Sequence, residues 1–100
     1  MAEVVILNAA ETDVFGAYLY YDSLDDGLGE TFAQQVDHAF AQISRFPEAG
    51  FLVGPGFRRM LVRRFPFGVF YSVEGHRVMI QAVLDLRQSP EQILRRLNLP

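Results

Sequence analysis

Between residues 58 and 84 the chain carries three closely spaced runs of strand-forming residues, and this stretch limits the fold more than any other. Residues 58–65, 67–74 and 76–84 are rich in Val, Phe, Tyr, Ile and Leu, and only Pro66 and the pair Glu74-Gly75 separate them. Proline cannot donate to a strand ladder, and glycine accepts the backbone of a tight turn. Neighbouring strands joined this closely pair antiparallel, because a parallel pair needs a crossover of a dozen residues or more. In the first run Arg59, Leu61, Arg63 and Phe65 alternate with Arg58, Met60, Val62 and Arg64, so neither face is wholly apolar. One face of the sheet must remain partly open to solvent or to a partner.

The residues before this block have helical spacing. Residues 4–7 form a short β-branched run, and Asn8 with Glu11 three residues on predicts a helix N-cap with a capping-box acid. Val14, Tyr18, Tyr21 and Leu24 then recur on one stripe, widened by Phe15 and Leu19, until Asp25-Asp26-Gly27 stops the helix. A second helix places Phe32, Val36, Ala39, Phe40, Ile43 and Phe46 on one face and ends at Pro47. With so short a joint the two make an antiparallel hairpin. Residues 47–57 hold three glycines and two prolines and predict a loop, with Phe51, Leu52 and Val53 tucked onto the core. Ser89-Pro90-Glu91-Gln92 is a capping box with proline at the first helical position, opening a short helix with Ile93, Leu94 and Leu97.

The expected order is therefore β-α-α-β-β-β-α. This is an α+β fold in one domain, residues 1–100, with the helical hairpin packed on one face of a small, mainly antiparallel sheet. The other face is the expected place for function.

Charge divides the same way as structure. Residues 1–50 hold nine acids against Arg45 alone, a net −8, while residues 51–100 hold eight arginines against Glu74, Asp85 and Glu91, a net +5. The overall −3 hides a basic half suited to an acidic partner or a phosphate backbone. All nine basic residues are arginine. Arginine binds carboxylate or phosphate in bidentate fashion but stays protonated, so it is a poor proton carrier. The absence of cysteine excludes disulfides, thiolate metal sites and a cysteine nucleophile, and fits a cytoplasmic protein. The first residues show neither the basic region nor the apolar length of a signal peptide or membrane span. No metal motif and no cofactor loop is expected: His38 and His76 fall on different elements, and Gly54-Pro55-Gly56 lacks the lysine and helix of a phosphate loop.

Several pieces, in this order, carry a resemblance: Tyr20-Tyr21 late in the first helix; Gly27-Leu28-Gly29-Glu30-Thr31-Phe32 opening the second; residues 43–47 closing it; the run from Arg58-Arg59-Met60-Leu61 through Pro66-Phe67-Gly68 to Val73-Glu74; and Ala82-Val83-Leu84-Asp85-Leu86-Arg87-Gln88-Ser89-Pro90. Together they resemble the RelE/ParE superfamily of toxins from type II toxin–antitoxin, or plasmid-stabilisation, modules over nearly the whole chain. The resemblance implies a cognate antitoxin whose tail wraps the toxin. It implies one of two growth-inhibiting actions, inhibition of DNA gyrase or ribosome-dependent cleavage of messenger RNA. It leaves formation of a homo-oligomer open.

An RNase of this kind needs a base for the 2′-hydroxyl, an acid for the leaving oxygen and cations for the phosphate. Nuclease members typically use lysine, glutamate or histidine, often with a histidine or tyrosine near the C-terminus. Here the tail Leu97-Asn98-Leu99-Pro100 has no titratable side chain, which favours ParE-like protein binding. The competing endonuclease reading would use Arg87 for phosphate with Glu74, Glu48 or His76 as proton carrier. A degenerate member that binds its antitoxin without toxicity is the third. The candidate antitoxin- or target-binding residues are Arg58, Arg59, Arg63, Arg64, Arg77 and Arg87, read as one guanidinium patch. Arg87 matches the family's arginine before the final helix. The other reading of these arginines is a charged strand edge that resists aggregation.

Overall fold

The computed structural model describes residues 1–100. Its elements are β1 (Glu3–Ile6), α1 (Asn8–Leu24), α2 (Leu28–Arg45), β2 (Phe51–Gly54), β3 (Phe57–Val62), β4 (Phe67–Glu74), β5 (Arg77–Asp85) and α3 (Pro90–Arg96). The sheet runs β1-β5-β4-β3-β2, antiparallel throughout except for the parallel pair β1–β5. Three consecutive antiparallel strands under a helical hairpin are what residues 58–84 predict. The helices and the sheet enclose a core of Phe32, Val36, Ile43, Val69, Tyr71, Val78, Ile80 and their neighbours. Tyr21, Phe32, Phe65 and Phe67 pack at its end with ring centroids 4.9–6.1 Å apart, mostly edge to face.

The joint between the helices depends on two glycines. Gly27 sits at φ +90°, and Asp22 Oδ1 accepts from the N–H of Gly27 (3.0 Å) and of Gly29 (3.3 Å). A Cβ on Gly29 would lie 2.6 Å from the Tyr18 carbonyl oxygen, so only glycine lets α2 start this close to α1.

Local expectations fail in several places. Residues 51–54 are a strand rather than loop: Phe51 pairs with Arg59 and Leu52 with Arg58, and a glycine at φ +80°, Gly56, turns the chain into β3. Glycine and proline density concealed a four-residue strand whose ladder comes entirely from its partner. Val53 packs on the protein as expected, but Phe51 and Leu52 are 66% and 58% exposed. β3 stops at Val62, because residues 63–66 form a turn in which Arg64 takes φ +72°, next to the restraint that Pro66 places on Phe65. Asn8 is the first helical residue and not the cap. Leu7 holds the cap position with no side-chain bond, its side chain having no acceptor, and its N–H is given to the Ile80 carbonyl as β1 ends (3.1 Å).

The last is the width of the α1 face: Tyr21 is buried and Val14 packs on the core as the stripe predicts, but not all of its large residues are covered. Its buried residues are Ala10, Ala17 and Tyr21, whereas Phe15, Leu19 and Leu24 are exposed. Small side chains let the helix lie close against β5, and the larger ones are left pointing away. On α2 the expected face is the observed one for Phe32, Val36, Ala39 and Ile43, with Phe46 exposed.

The second face of the sheet is not wholly open. Phe70, Ala82 and Leu84 form a smaller cluster there with Leu97, joined by Val53, Phe57, Leu86, Ile93 and Leu99. The capping box of α3 is present as read, Ser89 Oγ accepting from Gln92 N–H and Gln92 Oε1 from Ser89 N–H, both at 3.2 Å. No helix is long and apolar enough to cross a membrane.

Candidate protein-docking site

The six arginines singled out in the sequence do not converge on one patch. Arg58 lies on the alternation of Met60 and Val62, which pack toward the hairpin, and its Nη1 donates to the carbonyls of Glu48 and Gly50, both at 2.9 Å. It clasps the loop between α2 and β2. Arg77 pairs with Glu3 at 2.8 Å, where β1 and β5 run side by side. Arg87 is engaged by Asp85, its Nε at 3.0 Å from Oδ1 and its Nη2 at 2.6 Å from Oδ2. Arg63 and Arg64 project from the β3–β4 turn, exposed and without an ion pair.

Arg59 differs from the rest. It is half-buried on the face opposite the hairpin, its guanidinium carbon 5.2 Å from the centre of the exposed Phe51 ring. Its stem crosses Gly68, where a Cβ would sit 3.0 Å from Arg59 Cγ and 3.1 Å from Leu86 Cδ2. Its Nε is buried with no hydrogen-bond partner. A buried donor left unpaired costs about 1–3 kcal/mol. The Nε is closed to an incoming acceptor, whereas the Nη groups of this half-buried guanidinium have no ion-pair partner and are the ones another molecule would meet. Leu61, two residues along β3, is 57% exposed. The result is an apolar platform of Phe51 and Leu61 around a cation with an unmet donor, with Arg63 and Arg64 at its end. Such a surface suits an acidic, partly apolar protein segment.

Phe51 lies against the Arg59 guanidinium, and a reading of its strand as loop does not reveal this. Gly68 was visible only as part of a motif. Its role as the floor for an arginine stem depends on the register Leu61↔Gly68 and Arg59↔Phe70, which no local pattern shows.

The proton carriers of the endonuclease reading are not gathered around Arg87. Glu74 and His76 are at the β4–β5 hairpin, one end of β5, and Arg87 follows the other end. A strand of this length separates them by roughly 25 Å at about 3.3 Å per residue. Glu48 is exposed in the loop after α2. No group of His, Asp and Glu could hold a metal ion.

Arg87 does act on its neighbour. Its hydrogen bond holds the Asp85 carboxyl below the ordinary aspartate range. A depressed carboxylate contributes stability that is present above its unfolded value, about pH 4, and lost as pH falls through the lower folded value. The stability gap between the wild type and Arg87→Ala should therefore shrink on acidification below about pH 4. Urea titrations at a series of pH values measure it, and a gap that widens in acid would contradict the pairing.

The fold is a small α+β one in which Arg59, Arg63 and Arg64, on β3 and in the turn after it, carry no ion pair. A family model described as "ParE toxin of type II toxin-antitoxin system, parDE" matches residues 4–90. The chain belongs to this family of toxins. Among solved structures it is similar to a chain of the chromosomal ParDE toxin–antitoxin system from P. aeruginosa, at 19% identity and a TM-score of 0.77, covering 86% of this chain and 97% of that one. No curated protein sequence matches it.

Proposed function

We propose that the protein is a cytoplasmic ParE-like toxin that acts by binding a protein target such as DNA gyrase, and that a cognate antitoxin neutralises it by docking an acidic or amphipathic segment on the Arg59 face. Family membership supports the toxin role and the existence of an antitoxin partner. The observation that carries the location is the half-buried Arg59 guanidinium, without an ion pair, beside exposed Phe51. A peptide carboxylate there gains a charge-assisted bond, and its apolar neighbours cover Phe51 and Leu61. Arg63 and Arg64 add long-range attraction and speed the encounter.

Protein binding is favoured over RNA cleavage on geometric grounds. Arginine alone cannot exchange the proton of a 2′-hydroxyl near neutral pH, and Glu74 and His76 stand at the far end of β5 from Arg87. The purified protein should inhibit gyrase supercoiling and leave ribosome-bound messenger RNA intact. Codon-specific cuts that disappear in Arg87→Ala would overturn this and establish the endonuclease. Neither activity would indicate a member that keeps its antitoxin and has lost toxicity.

A further inference from the structure

The outer side of α1 is apolar with nothing of its own chain to cover. Phe15 is 62% and Leu19 51% exposed, four residues apart and hence on one stripe. A helix serving only its own core would turn such residues inward. Beside them the seam between α1, α2 and the end of β1 opens into a groove lined by Ile6, Val14, Tyr18 and Phe40 and bordered by Glu11 and Asp37.

Charge says what kind of segment fits. No lysine or arginine occurs from residue 8 to residue 44, where Glu11, Asp13, Asp22, Asp25, Asp26, Glu30 and Asp37 all lie. Of these only Asp13 has an ion-pair partner. The one arginine of this hairpin, Arg45, is the last residue of α2. The groove is therefore apolar inside and negative around its edge. A second copy presenting the same face would set two acidic hairpins against each other, and an acidic antitoxin segment would be repelled in the same way.

We propose that this groove docks a basic amphipathic helix from a protein partner other than the antitoxin. Its apolar residues at i, i+3 and i+4 cover Phe15, Leu19 and the groove, and its cations face Glu11 and Asp37. The groove and the Arg59 platform lie on opposite sides of the sheet, so both are occupied at once. That last point rests on the antitoxin site proposed above, whereas docking to the free toxin does not.

The test uses the full chain, free and in complex with its antitoxin. The probe is a synthetic amphipathic helix of leucine and lysine, with a leucine–glutamate helix of the same pattern as control. By fluorescence anisotropy the lysine helix should bind both forms equally and the glutamate helix neither. Phe15→Ser with Leu19→Ser should weaken binding about tenfold, and Glu11→Gln with Asp37→Asn should weaken it several-fold and flatten its salt dependence. All four residues are outside the buried core, and circular dichroism confirms folding. The proposal is overturned by equal binding of the two helices, by unchanged affinity in the Phe15/Leu19 variant, or by a concentration-dependent dimer that this variant abolishes. Displacement of the probe by antitoxin would overturn it as well, and together with unchanged antitoxin affinity in Arg59→Ala would also overturn the antitoxin site and assign the groove to the antitoxin.

Discussion

Replacing Asp13 with alanine is expected to destabilise the fold by about 2–4 kcal/mol, a fall in Tm of roughly 10–25 °C for a domain of this size. The Asp13 carboxylate is 14% exposed and joins three elements: it accepts from the N–H of Val83 at 3.0 Å and from Arg96 Nη1 and Nη2 at 2.9 and 2.8 Å. β1 pairs with β5 only as far as Ile80, so Val83 lies beyond its reach, and Asp13 on α1 supplies the acceptor that a neighbouring strand would have given. Removing it leaves a buried strand N–H and a partly covered guanidinium without a partner. Arg96→Ala should cost less, because Asp13 keeps Val83 and regains solvent. Thermal unfolding of both single variants and the double variant measures the coupling. Equal losses for Asp13→Ala and Arg96→Ala would mean that the bond to Val83 contributes nothing.

Gly50 and Tyr71 provide the second large effect. The Tyr71 hydroxyl donates to the Pro47 carbonyl at 2.8 Å and accepts from Gly50 N–H at 3.0 Å, in a fully buried position. This one hydroxyl pins the chain as it leaves α2 and enters β2, and Arg58 holds the same loop from the other side. Tyr71→Phe should cost about 1–3 kcal/mol by leaving a buried N–H unpaired. Gly50→Ala should cost at least as much, because its Cβ would collide with the Tyr71 hydroxyl. Burial raises the Tyr71 pKa above its ordinary value, so its stability contribution is intact below about pH 10 and falls as pH rises through the folded value. The gap between wild type and Tyr71→Phe should close above about pH 10 in denaturant titrations. A gap that is constant with pH would contradict the buried clasp.

These two residues show where reading the sequence stops. Strands β3 to β5 are legible because long β-branched and aromatic runs meet hard breaks at Pro66 and Gly75, and the capping box of α3 because its four residues are contiguous. β2 is not legible, since a strand of four residues between Gly50 and Gly54 exists only through its pairing with β3. The α1 stripe is legible at Val14 and Tyr21 but drawn too wide at Phe15, Leu19 and Leu24, because Ala10 and Ala17, which complete its buried side, carry little hydrophobic signal to count. Tyr71 is recognisable as buried from its place mid-strand, but its hydroxyl acts on a loop more than twenty residues earlier.

The candidate site was legible by composition and not by geometry. Arginine clustering in the second half marks a basic surface, yet which arginines remain free depends on where the acids fall. Asp13 takes Arg96 across 83 positions and Glu3 takes Arg77 across 74. Arg87, the residue most favoured by the family pattern, is engaged by an acid two positions away. Arg59 stands out only once Phe51 and Gly68 are placed beside it.

Calorimetric titration of the toxin with its cognate antitoxin tests the docking face most directly. Arg59→Ala with Arg63→Ala should weaken the complex by more than tenfold, and Phe51→Ala by about tenfold, as expected for a buried aromatic and a charge-assisted contact near the centre of an interface. Arg77→Ala, whose side chain is tied to Glu3 near the opposite edge of the sheet, should leave affinity unchanged. Unchanged affinity in the Arg59/Arg63 variant, or a loss confined to Arg77→Ala, would contradict the account.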